Sequence, residues 1–385
     1  MYRPTRMLAL YDTLRRRRVP FRPRGRTVTL YVCGVTPYDT THLGHARTFL
    51  VFDVLIRHLE AGGLRVKYAQ NVTDIDESIL QRAADRGRDW RELGRDEERK
   101  FLQDMRALSW RRPDVMPHAT REIDAMRALA ERLERRGHAY RIPDGGLYYE
   151  VTTFPRYGRL SRFSPSKMRR VLAQQDDTRL DDSRKRSPLD FALWRRVADG
   201  PTWPSEYGPG RPGWHLECSA MSLRHLDQPL DVHGGGDDLI FPHHESEIAQ
   251  SEGATGRPFA RYWVHVAAMK LGGEKMSKSK GNMVFVRDAL TRVSADGLRL
   301  YLLSKHYRKP FEHDEEEMRR WGAFAVQLRE MALPRATAQL PREVKAALDD
   351  DLDTPRVLRL LRGYVRARDA ESATVVARYL GLRLR

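Results

Sequence analysis

The sequence predicts an α/β protein built on a parallel β-sheet, because stretches typical of strands alternate with stretches typical of helices. Residues 27–32 are mostly β-branched and aromatic, as in a strand, and the apolar residues of 46–59 recur at helical spacing. The same order returns in 64–80, where a strand-like run closes on Asn71 and a helical stretch follows. Since this βαβ pattern belongs to parallel sheets, we expect the functional site beyond the carboxyl ends of the strands.

The remainder of the chain divides into an insertion, a second sheet-forming part and a helical region. Residues 78–137 show amphipathic helical patterns, and 138–154 predict a β-hairpin. The stretch 156–190 has no clear periodicity, so we expect long loops of an insertion there. The predicted domains are 1–112, the first half of the sheet domain; 113–200, a connective insertion; 201–305, the second half of the sheet domain; and 306–385, an α-helical domain.

Composition indicates a folded protein that stays in the cytoplasm. The chain has 385 residues, of which 41% are hydrophobic, and no apolar run approaches the roughly 20 residues needed to span a bilayer. The amino terminus has basic residues but no apolar stretch followed by a cleavage site. We therefore expect a cytoplasmic monomer with no membrane partner.

The net charge of +17 at pH 7 suggests a polyanionic partner such as a nucleic acid. The charge is uneven, because residues 1–28 carry nine arginines and one aspartate whereas 306–385 carry 16 basic and 13 acidic residues. If a nucleic acid binds, we expect its main footprint to lie outside 306–385.

The chain has two cysteines, Cys33 and Cys218, which lie 185 positions apart. A disulfide framework does not fit a protein of this class, so two explanations remain for these residues. Each cysteine is either a small buried hydrophobic residue or part of a metal or catalytic site.

Two short motifs point to phosphate chemistry when they are taken together. "HLGH" at 42–45 alone could be a pair of histidines at a helix end, and "KMSKS" at 275–279 alone could be a solvated basic loop. Each, however, follows a predicted strand. His42 and His45 at a helix start can donate hydrogen bonds to phosphate, and Lys275 and Lys278 on a glycine-flanked loop can offset phosphate charge.

Longer runs accompany both motifs, namely "YVCGVTPYD", "NVTDID", "GRPGWHLECSAM", "DVHGGGDDLIFPHHESEIAQSE" and "KMSKSKGN". With them the chain resembles the class I aminoacyl-tRNA synthetases and, within that class, the cysteinyl-tRNA synthetase family over about residues 8–360. The resemblance implies a Rossmann-like (HUP-type) parallel-sheet catalytic domain with a connective insertion and a C-terminal helical domain. It also implies a ligase that activates L-cysteine with ATP and Mg²⁺ and transfers it to tRNA(Cys).

The same resemblance implies the site residues. One Zn²⁺ ion would be bound by Cys33, Cys218, His243 and Glu247, and it would select cysteine through the substrate's thiolate. His243 and Glu247, four apart, share a face if the segment is helical, so their neighbours His244 and Glu245 are expected to point elsewhere. His42, His45, Lys275 and Lys278 are the implied catalytic residues. The implied lining of the substrate and ATP site is Gly34, Thr36, Thr48, Asn71, Thr73, Trp214, Gly236, Asp237, Asp238 and Lys278.

The function has three alternatives, and the first two differ in the molecule that accepts the activated cysteine. The sequence ends where a helical bundle begins in the synthetases, so we expect no anticodon-reading domain. The same truncation, and the run "TPYDTTHLGHA", resemble the mycothiol-pathway ligase, which joins cysteine to glucosaminyl-inositol. The run "HGGG" and Glu247 favour the synthetase, as does the basic surface. An inactive paralogue that binds nucleic acid is the third alternative, which the intact motifs disfavour.

Overall fold

The computed structural model describes residues 7–39, 41–143, 145–174, 182–276 and 281–384. The strands are β1 (Ala9–Asp12), β2 (Arg17–Pro20), β3 (Thr27–Val35), β4 (Arg65–Val72), β5 (Ala139–Arg141), β6 (Leu147–Tyr149), β7 (Phe191–Arg196), β8 (Gly210–Pro212), β9 (Leu230–Gly236), β10 (Ala260–Val266), β11 (Met269–Leu271), β12 (Glu274–Lys275) and β13 (Phe311–Glu312). The helices are α1 (Leu43–Ala61), α2 (Glu77–Asp85), α3 (Trp90–Ala107), α4 (Ile123–Arg135), α5 (Pro165–Leu172), α6 (Trp214–His225), α7 (Glu245–Thr255), α8 (Val286–Leu290), α9 (Ala295–Leu302), α10 (Glu315–Met331), α11 (Arg342–Asp349), α12 (Thr354–Arg366) and α13 (Ala370–Tyr379).

A four-stranded parallel sheet in the order β10, β9, β3, β4 forms the centre of the protein. The predicted α/β class is therefore confirmed. Strand β3 is longer than the sequence predicted, since it continues through Cys33 to Val35 and pairs there with Val72 of β4. The chain leaves β3 toward β4 on one side and later adds β9 on the other. This change of direction creates a crevice at the carboxyl ends of β3 and β9.

Helix α1 joins the sheet to the C-terminal helices. Most of its circumference is apolar and buried, as expected for a helix enclosed between layers. It contacts β4 and β9 on one side and α9 on the other. Near its end, the two ring nitrogens of His58 each lie 2.8 Å from a partner, Asp349 of α11 on one side and Tyr379 of α13 on the other. The helix that carries "HLGH" is thus packed between the sheet and the C-terminal helices.

An antiparallel sheet in the order β5, β6, β7, β8 begins in the predicted insertion (113–200) and extends beyond its predicted end to β8. The predicted hairpin is present as β5 and β6. The stretch expected to be irregular contains helix α5, capped by Ser164, whose side chain accepts from the backbone N–H of Lys167. Only Met168 and Leu172 of this short helix are buried, which explains why its sequence shows no clear period.

The predicted C-terminal helical region is present as α10 to α13, preceded by the two-residue strand β13. Its apolar residues form one continuous core with α1 and the sheet. The buried Arg299 of α9 spans this junction, since its guanidinium donates to the carbonyl oxygens of Leu108 and Leu380 and pairs with Asp53 of α1. Within the described ranges, no helix combines the length and apolar character that crossing a membrane requires.

Candidate active site and metal centre

The predicted site residues gather at the carboxyl ends of three neighbouring strands. Cys33 and Gly34 lie near the end of β3, Asn71 lies near the end of β4, and Gly236 ends β9. Because these strands are parallel, the three ends meet on one edge of the sheet. This is the edge at which open α/β sheets bind their ligands.

Four buried side chains converge beside this edge, and they are Cys33, Cys218, His243 and Glu247. One possible ligand atom from each lies within 4.8 Å of the others. Glu247 Oε1 lies 3.4 Å from Cys33 Sγ and 3.1 Å from His243 Nε2. Helix α6 supplies Cys218, and the start of α7 supplies Glu247. Residues that are far apart in the sequence thus form one cluster, which can hold a metal ion.

Electrostatics favour the charged forms of two acids in this cluster. Burial opposes a Cys218 thiolate, but the hydrogen bond from Cys33 and the charge of His243 lower the pKa of Cys218 to about 6. Burial also opposes a Glu247 carboxylate, but His233 and His243 hold the pKa of Glu247 well below its usual range. Despite burial, the two anions raise the pKa of His243 to about 10. The cluster therefore stabilises a positive charge at its centre, which a divalent cation supplies in place of a proton.

A chain of buried hydrogen bonds supports Cys33 from behind. His244 Nε2 lies 3.3 Å from Cys33 Sγ, and His244 Nδ1 lies 2.8 Å from His265 Nε2. His265 Nδ1 in turn lies 2.7 Å from the Thr13 hydroxyl. Burial lowers the pKa of both histidines, that of His265 to about 3, so both are neutral. Burial and the neighbouring anions raise the pKa of Cys33, so without a metal it is a thiol. A neutral imidazole donates one hydrogen bond and accepts one, so when Cys33 binds a cation as a thiolate and accepts from His244, the direction of every bond back to Thr13 is fixed.

The prediction that His244 points away from the site is wrong. A π-helical turn over Ile240–His244, with Phe241 in an extended conformation, precedes α7 and alters the angular step between residues. His244 therefore also faces the site and, with Cys33, His233 and Glu247, forms a second possible donor set. Glu245 does point elsewhere, since it accepts from the backbone of the insertion.

Sequence reasoning missed His233 and His265 as well as His244. His233 lies in the buried strand β9, with Nε2 2.8 Å from Glu247 Oε2, and His265 lies in the buried strand β10. The available signal was a titratable side chain inside an apolar strand, as in "RYWVHVAAM". Such residues need a polar partner in the core.

"HLGH" begins helix α1. His42 is the N-cap, and its Nδ1 accepts a hydrogen bond from the backbone N–H of His45 at 3.3 Å. The two imidazole rings stack with centroids 3.7 Å apart. A Cβ atom on Gly44 would lie 2.9 Å from the His42 ring, so glycine allows this ring to fold over the helix start. Both rings therefore lie at the positive end of the helix dipole, where phosphate binds favourably.

The "KMSKS" segment is tied to the same helix start. Lys275 Nζ pairs with Asp238 Oδ2 at 2.7 Å, and both side chains are about half exposed. Beyond the segment, the backbone N–H of Leu43 donates to the Val284 carbonyl at 2.9 Å. This bond joins the start of α1 to the stretch of chain that follows "KMSKS". Lys278, the second predicted catalytic lysine, lies outside the described residues.

Gly34 brings strand β3 against the segment that follows β4. Its N–H donates to Asn71 Oδ1 at 2.8 Å, and the Asn71 amide donates to the Thr73 hydroxyl at 3.1 Å. A Cβ atom on Gly34 would lie 1.7 Å from the Asn71 carbonyl oxygen, so only glycine fits there. Thr36, half-buried, follows the end of β3. These four predicted residues therefore lie together.

Two other predicted residues, Thr48 and Asp237, interact with residues that are near them in the sequence. The Thr48 hydroxyl donates to the Gly44 carbonyl one turn earlier in α1, at 3.1 Å. Asp237 follows β9 beside Asp238, and burial and the neighbouring carboxylate raise the pKa of Asp237. Thr48 therefore lies one turn after "HLGH" in α1. Asp237 adjoins Asp238, the partner of Lys275 in "KMSKS".

Trp214 connects the cluster to a large cavity. It opens helix α6 and stacks on His243 with ring centroids 4.3 Å apart. It also lines a cavity of about 870 Å³ together with residues of the insertion, including Tyr148 and Arg195. Trp214 therefore stands between the cluster and this cavity, which has the volume of a small-molecule site.

Comparison with known proteins agrees with this architecture. The model of a family described as tRNA synthetases class I (C) catalytic domain matches residues 21–322. The cysteine--tRNA ligase of Solidesulfovibrio magneticus is 43% identical over 411 residues, covering 97% of this chain and 83% of the relative. Those of Legionella pneumophila strain Paris and Anaeromyxobacter sp. strain K are 42% and 44% identical, each covering 92% of this chain and 79% and 76% of the relatives. The chain therefore belongs to the cysteine--tRNA ligase family of class I tRNA synthetases, and it is an enzyme of the ligase class.

Solved structures agree on the fold. A Mycobacterium tuberculosis methionyl-tRNA synthetase in complex with methionyl-adenylate aligns with a TM-score of 0.62 at 17% identity, over 92% of this chain and 82% of that one. A putative arginyl tRNA synthetase from Campylobacter jejuni aligns with a TM-score of 0.59 at 13% identity, over 94% of both chains. At these identities the likeness concerns the fold alone, and it confirms the predicted Rossmann-like class.

Proposed function

We propose that this protein activates L-cysteine with ATP at a zinc site and transfers it to tRNA(Cys) in the cytoplasm. The observation that carries the proposal is the cluster of Cys33, Cys218, His243 and Glu247 at the sheet edge from which "HLGH" begins α1. Recognition of a thiol and chemistry on a phosphate can therefore occur side by side. The names of the curated relatives support the same reaction.

The donor set fits one Zn²⁺ ion. Two thiols, an imidazole and a carboxylate are groups that zinc binds in proteins, and here all four are buried within 4.8 Å of one another. Without a cation, the thiolate and carboxylate forms of these groups would repel one another in a medium of low dielectric constant. Zinc would supply a Lewis acid that accepts a thiolate far more readily than a hydroxyl.

This donor set explains how the protein would tell cysteine from serine. The two amino acids have nearly the same shape, and a hydrophobic pocket separates such similar side chains by only roughly 10–200-fold. A site that recognises the sulfur atom itself removes that limit. Trp214, stacked on His243, would form the apolar wall beside the small substrate.

The phosphate side uses the start of α1 and the "KMSKS" segment. His42 and His45 would donate hydrogen bonds to ATP while the amino-acid carboxylate attacks the α-phosphorus and pyrophosphate leaves. Lys275 would offset the charge that moves onto pyrophosphate. Its present pair with Asp238 is exposed and contributes at most about 1 kcal/mol, so it is easily exchanged for a phosphate. We assign the same role to Lys278.

The residues between these two centres would hold cysteinyl-adenylate. Gly34 and Gly236 let the backbone pack closely against Asn71 and Asp238, and the side chains of the lining offer hydroxyl, amide and carboxylate groups. The proposed lining consists of Gly34, Thr36, Thr48, Asn71, Thr73, Gly236, Asp237 and Asp238. ATP would enter with Mg²⁺.

The acceptor is tested by supplying the zinc-loaded protein with ATP, L-cysteine and either tRNA(Cys) or glucosaminyl-inositol. We expect cysteinyl-tRNA to form, and to form more slowly as salt is raised. Consumption of the amine without cysteinyl-tRNA at low salt would contradict the proposal in favour of the mycothiol-pathway reaction. Absence of cysteine-dependent exchange of pyrophosphate into ATP would instead indicate a binding paralogue.

The hydrogen-bonded support of Cys33 makes a separate prediction. Replacing His244 by alanine leaves the Cys33 sulfur without its donor, so zinc affinity is expected to fall about 10–100-fold. His244→Gln, which keeps an N–H group, is expected to recover part of this loss. Both are measured by competition with a chromophoric chelator. His138→Ala, which removes a half-buried histidine of the insertion, is the control, and equal zinc affinities in all variants would refute the role of His244.

A further inference from the structure

A buried tyrosine lies on the same side of the sheet as the metal cluster. Tyr31 belongs to β3, two residues before Cys33, so both side chains project to one face of the strand. They share an apolar core with Cys218 of α6, whereas Leu30 and Val32 belong to the core on the other side. Because the Tyr31 side chain is fully buried, its hydroxyl is kept from bulk water.

The hydroxyl of Tyr31 has no hydrogen-bond partner among the residues that the structure describes. A buried hydroxyl left in this way costs free energy, so such a group is expected to acquire a partner in another state of the protein. Burial raises the pKa of Tyr31 well above its usual range, and the charge of Cys218 is the next largest cause, ahead of Cys33 and Glu247. Tyr31 is therefore a protonated donor beside the Cys218 sulfur.

Three of the four proposed metal ligands already have a hydrogen-bond partner outside the cluster. These pairs are Cys33 with His244 at 3.3 Å, Glu247 with His233 at 2.8 Å and His243 with His215 at 3.0 Å. Outer partners of this kind orient metal ligands and tune their electron density. The fourth ligand, Cys218, is the one to which such a partner has still to be assigned.

The hydrogen bonds to Cys218 come from inside the cluster. Burial opposes its thiolate form, and the bonds that favour this form come from Cys33 and His243, which are proposed ligands themselves. Once Cys33 and His243 bind the metal, they no longer donate to Cys218. The donor without an acceptor and the ligand without an outer donor thus lie next to each other.

We propose that Tyr31 donates a hydrogen bond to the Cys218 sulfur when the metal is bound. Tyr31 is a positioning residue, since it holds the sulfur and withdraws electron density from it without contacting the reacting atoms. The inference rests on the zinc site of the proposed function and adds the outer partner of its fourth ligand. A hydroxyl that only filled space would be lost without harm to metal binding, because removing an unpaired buried polar group favours folding.

The test compares the full chain with Tyr31→Phe, which removes only the hydroxyl oxygen. The control is Tyr301→Phe, because Tyr301 of α9 is equally buried and its hydroxyl lies 2.9 Å from His313 Nδ1, outside the cluster. Zinc affinity is measured by competition with a chromophoric chelator. The absorption spectrum of the cobalt-substituted proteins reports charge transfer from sulfur to metal, and thermal unfolding of the metal-free proteins reports packing.

Tyr31→Phe is expected to bind zinc about tenfold more weakly than the wild type. Its cobalt charge-transfer band is expected to move to longer wavelength, because the sulfur regains electron density, while the metal-free protein unfolds at the wild-type temperature or above it. Tyr301→Phe is expected to keep both the zinc affinity and the spectrum of the wild type.

Equal zinc affinity in Tyr31→Phe and Tyr301→Phe would overturn the inference. A fall in affinity with an unchanged cobalt spectrum would also overturn it, since the hydroxyl would then act through packing alone. Absence of zinc from the wild type would overturn the proposed function together with this inference. Zinc bound equally by the wild type and both variants would overturn the inference alone, so the two failures can be told apart.

Discussion

Replacing Cys218 by alanine is expected to lower zinc affinity about 100-fold and to abolish cysteine-dependent pyrophosphate exchange at low zinc. A four-ligand zinc site in a small domain contributes roughly 10–16 kcal/mol, so one ligand accounts for about 3 kcal/mol. Cys218 carries the lowered thiol pKa of the cluster, so its loss removes a preformed anionic donor. Zinc content after dialysis and the exchange rate are the two measurements.

The matched control for this prediction is Ser222→Ala. Ser222 is also buried on α6, one turn beyond Cys218, and its hydroxyl donates to the Ser219 carbonyl. This variant removes a small buried polar group without touching the metal cluster. Full zinc content in Cys218→Ala, or equal zinc loss in the two variants, would contradict the assigned donor set.

Replacing His45 by alanine is expected to slow pyrophosphate exchange about 10²–10³-fold while zinc content stays unchanged. His45 stacks on His42 at the start of α1 and has no part in the metal cluster. Removing one preorganised donor to a developing anion has an effect of this size in other enzymes. Steady-state exchange kinetics, with zinc measured on the same sample, provide the check.

The contrast between the two variants separates the roles of the two centres. His45→Ala is expected to keep zinc and lose rate, whereas Cys218→Ala is expected to lose both. His138→Ala serves again as the histidine control, since His138 lies in the insertion and pairs with Thr153. A loss of zinc in His45→Ala, or an unchanged exchange rate, would show that the two centres are not divided in this way.

The sequence predicted the cluster because its members lie in long runs of fixed order. Those runs carry the resemblance to the cysteinyl-tRNA synthetases, and it was this resemblance that implied the four ligands. The spacing alone placed only His243 and Glu247 on one face of a helix. His244 could not be placed in this way, because the π-helical turn that directs it into the site has no sequence period. His265 could not be placed either, because its partner Thr13, in the turn after β1, is distant in the sequence.

The fold was predictable where one hydrophobic period, that of a helix or of a strand, dominates the local sequence. It was not predictable where the packing depends on residues that are distant in the sequence. Strands β3 and β4 and helix α1 follow from local patterns. The shared core of α1 and the C-terminal helices does not, because it depends on pairs such as His58 with Asp349, which are distant in the sequence.

The central claim is that sulfur is recognised directly at the cluster of Cys33, Cys218, His243 and Glu247. X-ray absorption at the zinc edge, recorded on the zinc-loaded protein with and without L-cysteine, tests this claim. We predict two sulfur neighbours at about 2.3 Å without cysteine and three with it, and no change with L-serine. A sulfur count that stays at two when cysteine is bound would contradict the account.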